Sequence, residues 1–180
     1  GVLLYSTVYN NSVYGNTITI GGSGSGMYLV TTIYNNSIYG NKITTSASDG
    51  EGIRLQDDVY NNSVYSNTIT IGGSNGKGVI LVKTVYSNNV YNNNITTKGV
   101  NAYGLRLDEG VYNNSVYGNN ITTQSSVGSY GIFLQRNVTN NTFHSIRITS
   151  LAAVIVVNGT TGTFTDETRF NTFTNDTIVP

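Results

Sequence analysis

A twelve-residue segment recurs along the chain, and that recurrence limits the fold more than any other feature. It opens as VYNNSVYGNTIT at Val8 and returns as IYNNSIYGNKIT at Ile33, VYNNSVYSNTIT at Val59, VYSNNVYNNNIT at Val85 and VYNNSVYGNNIT at Val111. A weaker copy, VTNNTFHSIRIT, starts at Val138, and a last relic, TRFNTFTNDTIV, starts at Thr168. The steps between copies are 25, 26, 26, 26, 27 and 30 residues. A second element lies between the copies: GVLL at Gly1, GMYL at Gly26, GIRL at Gly52, GVIL at Gly78, GLRL at Gly104 and GIFL at Gly131, with AVIV at Ala153 in the same slot. Val8, Val13, Ile18 and Ile20 alternate with polar or tyrosine positions, the period-two pattern of a strand with one buried face. No stretch shows a 3.6-residue period, and β-branched residues abound. The single proline is Pro180, so nothing interrupts a strand ladder.

One repeat is too short to bury its own apolar face. Stacking places Val on Val and Ile on Ile in a shared interior, with coils about 4.8 Å apart. The repeat predicts an all-β fold, a right-handed parallel β-helix of about seven coils with about 26 residues each. Seven coils make a rod on the order of 35 Å long. One domain spans 1–180, with regular coils over 1–150 and an irregular terminal coil or partial cap over 151–180.

In-register stacking lets each sequence position be read as a column. Asn11, Asn36, Asn62, Asn88, Asn114 and Asn141 share one column, and Asn16, Asn41, Asn67, Asn93 and Asn119 another. Asparagine tolerates left-handed turns, caps backbone groups and hydrogen-bonds to its own kind at coil spacing. Both columns are expected to be turn ladders; the functional alternative is a polar binding strip. Two residues past the Leu of GΦxL (Φ aliphatic), the column reads Thr31, Asp57, Lys83, Glu109, Arg136. Its signs alternate from Asp57 onward, so a one-coil slip would place like charges together. Tyr9, Tyr34, Tyr60, Tyr86 and Tyr112 form one aromatic column, and Tyr14, Tyr39, Tyr65, Tyr91 and Tyr117 a second. Alternation with inward aliphatics turns both outward. Three readings stay open for them: stiffening stacks, a lateral contact for another subunit, or a platform for sugar rings. Arg54 and Arg106, in the outward slot of GΦxL, either grip an acidic polymer or pair with Asp57, Asp58, Asp108 and Glu109.

The motif NxΦxxNxΦ followed by GΦxL resembles the right-handed parallel β-helix repeat of the pectate-lyase-like superfamily. The resemblance covers residues 1–150 and, more weakly, the rest. The tyrosine-rich version is most similar to repeats in secreted archaeal surface proteins. The superfamily's roles include polysaccharide lyases and hydrolases, viral tailspikes and cell-surface proteins. The hydrolase pattern needs an acid and a base across a glycosidic bond. Gln56-Asp57-Asp58 matches its QDD element, but no Asp occupies the expected neighbouring coil, His144 lies in another column and the basic motif is missing. The lyase pattern needs carboxylates for Ca²⁺. Lys83 sits between Asp57/Asp58 and Asp108/Glu109, where it opposes a divalent site. The sequence therefore assembles no catalytic constellation.

Composition narrows the partners. There is no cysteine, and one His (His144) and one Met (Met27) leave few soft ligands, so neither a metal site nor a cofactor is expected. Nine cationic and nine anionic residues give zero net charge, which offers no attraction for nucleic acid. No apolar run reaches membrane-spanning length. Sequons arise within the NNS of the repeat, as at Asn10, Asn35, Asn61 and Asn113; the stronger glycan candidates are Asn94, Asn120 and Asn158. The chain begins at Gly1 rather than Met, which fits a removed secretion signal. Both ends read as open strand edges. The expectation is an extracellular or cell-surface structural protein that polymerises head to tail into a filament or layer with copies of itself, with glycans as further partners. The alternatives are a polysaccharide-binding or polysaccharide-cleaving β-helix and the stalk of a larger adhesin.

Overall fold

The computed structural model describes residues 1–152, 155–158 and 171–179, and over them the chain is a parallel β-solenoid without a helix. Each turn of about 26 residues contributes one strand to each of four parallel sheets. Sheet A stacks Val2–Tyr5, Ser25–Val30, Glu51–Gln56, Lys77–Val82, Tyr103–Asp108, Tyr130–Gln135 and Ile155–Asn158. Sheet B is a stack of two-residue strands from Val8–Tyr9 to Val138–Thr139. Sheet C runs from Ser12–Tyr14 to Thr172–Thr174, and sheet D from Thr17–Ile20 to Thr177–Val179. Six coils carry all four strands, and a seventh adds one strand each to sheets A, C and D. The terminal stretch thus continues three sheets through 155–158, 172–174 and 177–179, while the remainder of 153–170 lies outside the described residues.

Like residues lie on like residues along the axis. Met27 stacks on Ile53, Leu29 on Leu55, Ile33 on Val59, Ile38 on Val64 and Ile43 on Ile69. These side chains are fully buried and form one continuous core with their counterparts further along. Burying an aliphatic side chain of this size contributes roughly 1.5–3 kcal/mol, and only the stack supplies the covering atoms. The glycine that opens each GΦxL marks the tightest approach of backbone to core. A Cβ on Gly78 would collide with the Ile95 side chain in sheet D and with the Gly104 carbonyl of the next coil.

Left-handed backbone appears at all four corners, with single residues Asp49, Asn75, Asn101 and Gly128 between sheets D and A. Between sheets A and B two consecutive residues take positive φ: Thr31 and Thr32, Asp57 and Asp58, Lys83 and Thr84, Glu109 and Gly110, Arg136 and Asn137. Threonine is a costly choice there, because its branched Cβ crowds the backbone. Axial hydrogen bonds hold the corner open: Thr31 N–H to the Asp57 carbonyl (3.1 Å) and Asp57 N–H to the Lys83 carbonyl (2.9 Å). One left-handed residue makes each B–C corner (Asn10, Asn35, Asn61, Ser87, Asn113, Asn140) and each C–D corner (Gly15, Gly40, Ser66, Asn92, Gly118, Ser145). The left-handed conformation expected of the ladder asparagines therefore belongs to the residue before each of them.

The fourth corner, from sheet D to sheet A, absorbs the drift of the repeat. It holds four residues at 21–24, five at 46–50, 72–76 and 98–102, and six at 124–129. Those lengths account for steps of 25, 26 and 27 residues, while the rest of each coil keeps a constant count.

Candidate functional site: the stacked side-chain columns

The left-handed residue that turns the B–C corner swings the following N–H out of the strand ladder. An asparagine oxygen of the next coil replaces the missing backbone acceptor. Asn36 N–H donates to Asn62 Oδ1 at 2.9 Å, Asn62 N–H to Asn88 Oδ1 at 2.9 Å, and Asn88 N–H to Asn114 Oδ1 at 2.9 Å. Each amide nitrogen also donates along the column, as from Asn62 Nδ2 to Asn88 Oδ1 at 3.1 Å. The same nitrogen reaches the Ile33 and Tyr60 carbonyls, both at 2.8 Å. Asn11 joins through Asn36, and Asn114 through Asn141. From Asn36 to Asn141 the column is buried, at 2 % exposure or less. A buried amide must be satisfied, and each of these is satisfied by its own kind.

The second column repeats the device at the C–D corner. Asn16 donates to Asn41, Asn41 to Asn67, Asn67 to Asn93 and Asn93 to Asn119, with backbone N–H to Oδ1 distances of 3.0–3.1 Å. It is interrupted at Ile146, which occupies the next position, and resumes in altered form when Ile146 N–H donates to Asp176 Oδ1 at 2.9 Å. The first column also continues beyond the expected members, because Asn141 Nδ2 donates to Asn171 Oδ1 at 3.0 Å. Asn171 and Asp176 were readable from TRFNTFTNDTIV, where they keep the five-residue spacing of Asn11 and Asn16.

The tyrosine columns are face-to-face stacks. Tyr9, Tyr34, Tyr60, Tyr86 and Tyr112 lie 5.0–5.1 Å apart, with planes within 8°. Tyr14, Tyr39, Tyr65, Tyr91 and Tyr117 lie 4.8–4.9 Å apart, and His144 stacks on Tyr117 at 4.9 Å. Only the first-coil rings are widely exposed, Tyr9 at 49 % and Tyr14 at 59 %. The rings behind them are half-buried, because each covers its neighbours' faces. The columns therefore offer solvent ring edges and hydroxyls rather than open π-faces. Burial, reinforced by neighbouring phenols, pushes Tyr34 and Tyr39 above the ordinary tyrosine pKa. Burial does the same for Tyr86, with Asp58 adding to it, and for Tyr91.

The column of alternating charge occupies the A–B corner. One of its three neighbouring pairs closes as an ion pair, Arg136 Nη1 to Glu109 Oε1 at 2.5 Å. Asp57 instead accepts from Gln56 Nε2 at 2.6 Å, and Lys83 is exposed without an ion pair to either neighbour. The stronger anchor is Asp108, whose side chain is 3 % exposed. Arg136 grips it with a two-pronged fork (Nε to Oδ1 at 2.8 Å, Nη2 to Oδ2 at 2.7 Å), and Arg106 adds a third bond at 2.7 Å.

The outer face of sheet A holds Arg54, Arg106 and Lys77. Arg54 pairs with Glu51 at 2.6 Å and with Gln56 at 2.7 Å, and lies over the Tyr28 ring. Arg106 lies over Tyr103 and Phe133. Both arginines are thus engaged locally, with Glu51 rather than Asp57 or Asp58 as the partner of Arg54. Lys77 sits 3.8 Å from Asp49, and burial lowers its pKa despite the carboxylates of Glu51 and Asp49.

Asp57 and Asp58 both sit in the left-handed corner, where Asp58 accepts from Thr32 Oγ1 at 3.4 Å. Among the described residues no group of three or more His, Cys, Asp or Glu side chains converges to hold a metal ion. No helix there is long and apolar enough to cross a membrane. Of the sequon residues, Asn120 Nδ2 donates to Asn94 Oδ1 at 3.1 Å on the exposed face of sheet D; the Asn158 side chain lies outside the described residues. No protein-family model matches the chain, and comparison with curated proteins and with solved structures gave no match.

Proposed function

We propose that this chain is an extracellular structural rod that extends by coil-on-coil stacking of copies into a filament or cell-surface layer. The observation that carries the reading is the continuity of its ladders. Core, asparagine and tyrosine columns pass from coil to coil in one register, so each coil is a template for the next. Within sheet A each strand pairs edge to edge with the like strand of the coil beside it, as Val2–Tyr5 does with Ser25–Val30. A parallel strand edge of this kind recruits another strand through backbone hydrogen bonds. Docking there by another copy is a heterologous contact, which propagates when it does not close. The resemblance of the repeat to pectate-lyase-like β-helices, and of its tyrosine-rich version to secreted archaeal surface proteins, supports a place outside the cell. Sequons at Asn94, Asn120 and Asn158 fit that place as glycan sites.

Electron microscopy of the undenatured chain at rising concentration tests the reading. Unbranched fibres that lengthen with concentration are expected; discrete short rods at every concentration would remove it. A second reading, polysaccharide binding, is favoured by the arginines laid over aromatic rings on sheet A. It requires that short rods be retained on an acidic polysaccharide and that Arg54→Ala with Arg106→Ala release them.

A further inference from the structure

The eighteen Lys, Arg, Asp and Glu residues are unevenly placed around the coil. None falls in 8–16, 33–41, 59–67, 85–93, 111–119 or 138–146. Those six segments are sheets B and C with the corner between them and the corner that follows. One wall of the solenoid therefore carries no formal charge over six coils, while sheet A, the corners on either side of it and sheet D carry the charges of those coils. The wall's outward columns are the two tyrosine stacks, the corner asparagines from Asn10 to Asn140, and a line of Ser12, Ser37, Ser63, Asn89, Ser115 and Thr142.

We propose that this wall is a lateral interface that takes a second copy of the chain. The proposal rests on the reading of the chain as a structural rod and adds the surface by which rods join side by side. Three observations select the occupant. The absence of charge removes both the repulsion and the strong hydration that keep rods apart. The tyrosine faces are covered by one another, so the wall cannot stack sugar rings along its length; it offers phenol edges and hydroxyls instead. Finally, its hydrogen-bonding groups recur once per coil, about 4.8 Å apart. A second copy carries that same period, so one matched pair brings every other pair into step. Amides and hydroxyls both donate and accept, which allows the surface to be its own complement about a two-fold axis.

The test places charge on the wall without disturbing the fold. Asn10, Asn61 and Asn113 are exposed, left-handed and two coils apart, and aspartate has their shape and tolerates that backbone. The triple variant Asn10→Asp, Asn61→Asp, Asn113→Asp is compared with a control, Thr17→Asp, Thr68→Asp, Thr177→Asp, which puts equal charge on exposed positions of sheet D. Circular dichroism first establishes that both are folded. In sedimentation velocity and electron microscopy the native chain is expected to pair side by side, the wall variant to lose pairing by about tenfold or more with recovery at high salt, and the control to pair as the native chain does. Equal pairing by native chain and wall variant overturns the proposal, as does a native chain that never pairs, or one whose wall retains a neutral glucan in place of a second copy. Failure of end-to-end growth has a different signature: short rods that still pair laterally. Failure of the lateral interface leaves long filaments of single width.

Discussion

The outer face of sheet A and the wall formed by sheets B and C belong to the same coils but obey different rules. On the wall the aromatic columns and the amide ladders beneath them each repeat one residue type over five coils, and their bonds run along the axis: tyrosine on tyrosine, asparagine on asparagine. On sheet A a column changes from coil to coil, as in Ser25, Glu51, Lys77, Tyr103, Tyr130 or Leu3, Tyr28, Arg54, Ile80, Arg106, Phe133. Bonds there run within a strand (Arg54 to Glu51), obliquely (Arg136 to Asp108) or, at one position, along the axis (Ser25 Oγ to Glu51). The difference shows that backbone pairing and the inward columns suffice to hold a coil. Outward residues are then free either to repeat, which makes a periodic surface, or to vary, which makes local networks. Ile80 shows the second case: it points outward yet is 5 % exposed between Arg54 and Arg106 in the adjacent coils.

The comparison can be broken most severely at the inward ladder on which both faces depend. Asn62→Ala removes the acceptor of the Asn36 N–H and strands the buried Ile33 carbonyl. A loss of about 3–5 kcal/mol in unfolding free energy is expected by chemical denaturation. On sheet A, Asp108→Asn leaves Arg106 and Arg136 facing each other without their carboxylate. Because both arginines are partly exposed, the loss should be about 2 kcal/mol, and smaller in high salt. On the wall, Tyr65→Leu removes a central ring and two stacking contacts, for about 1 kcal/mol in the same assay.

The same wall sets an alkaline limit. Raised folded-state pKa values at Tyr34, Tyr39, Tyr86 and Tyr91 mean that the folded chain holds those protons more tightly than the unfolded chain does. Their contribution is complete below the ordinary tyrosine pKa of 10.0 and is lost as pH rises through the higher folded values. Denaturation midpoints should therefore fall above about pH 10, and less so after Tyr34→Phe with Tyr86→Phe. The smallest effect belongs to the exposed corner column, where Lys83→Ala should change stability by under about 0.5 kcal/mol. A loss above about 1 kcal/mol would mean that the alternating charges act as a unit.

Much of this was legible in the residues. Period-two alternation gives strands, and a 26-residue recurrence leaves apolar faces that only stacking can cover, so the parallel solenoid and its inward columns follow. The A–B corner was not legible in the same way. Thr31, Asp57, Lys83, Glu109 and Arg136 share no preference for left-handed backbone, so composition gives no turn signal there. The continuation through Asn171 and Asp176 was present in the spacing but obscured by the irregular stretch before it.

By itself the chain determines its period, its strands and which side chains meet along the axis, because these depend on local alternation and identical repeats. Only the tertiary structure decides which residue at each corner turns left-handed, which way each asparagine amide points, and whether a charge pairs along its column or across the face. Those outcomes depend on where the next coil places its carbonyls. A corner residue adopts a costly conformation when the coil beside it supplies the acceptor that its N–H would otherwise lack.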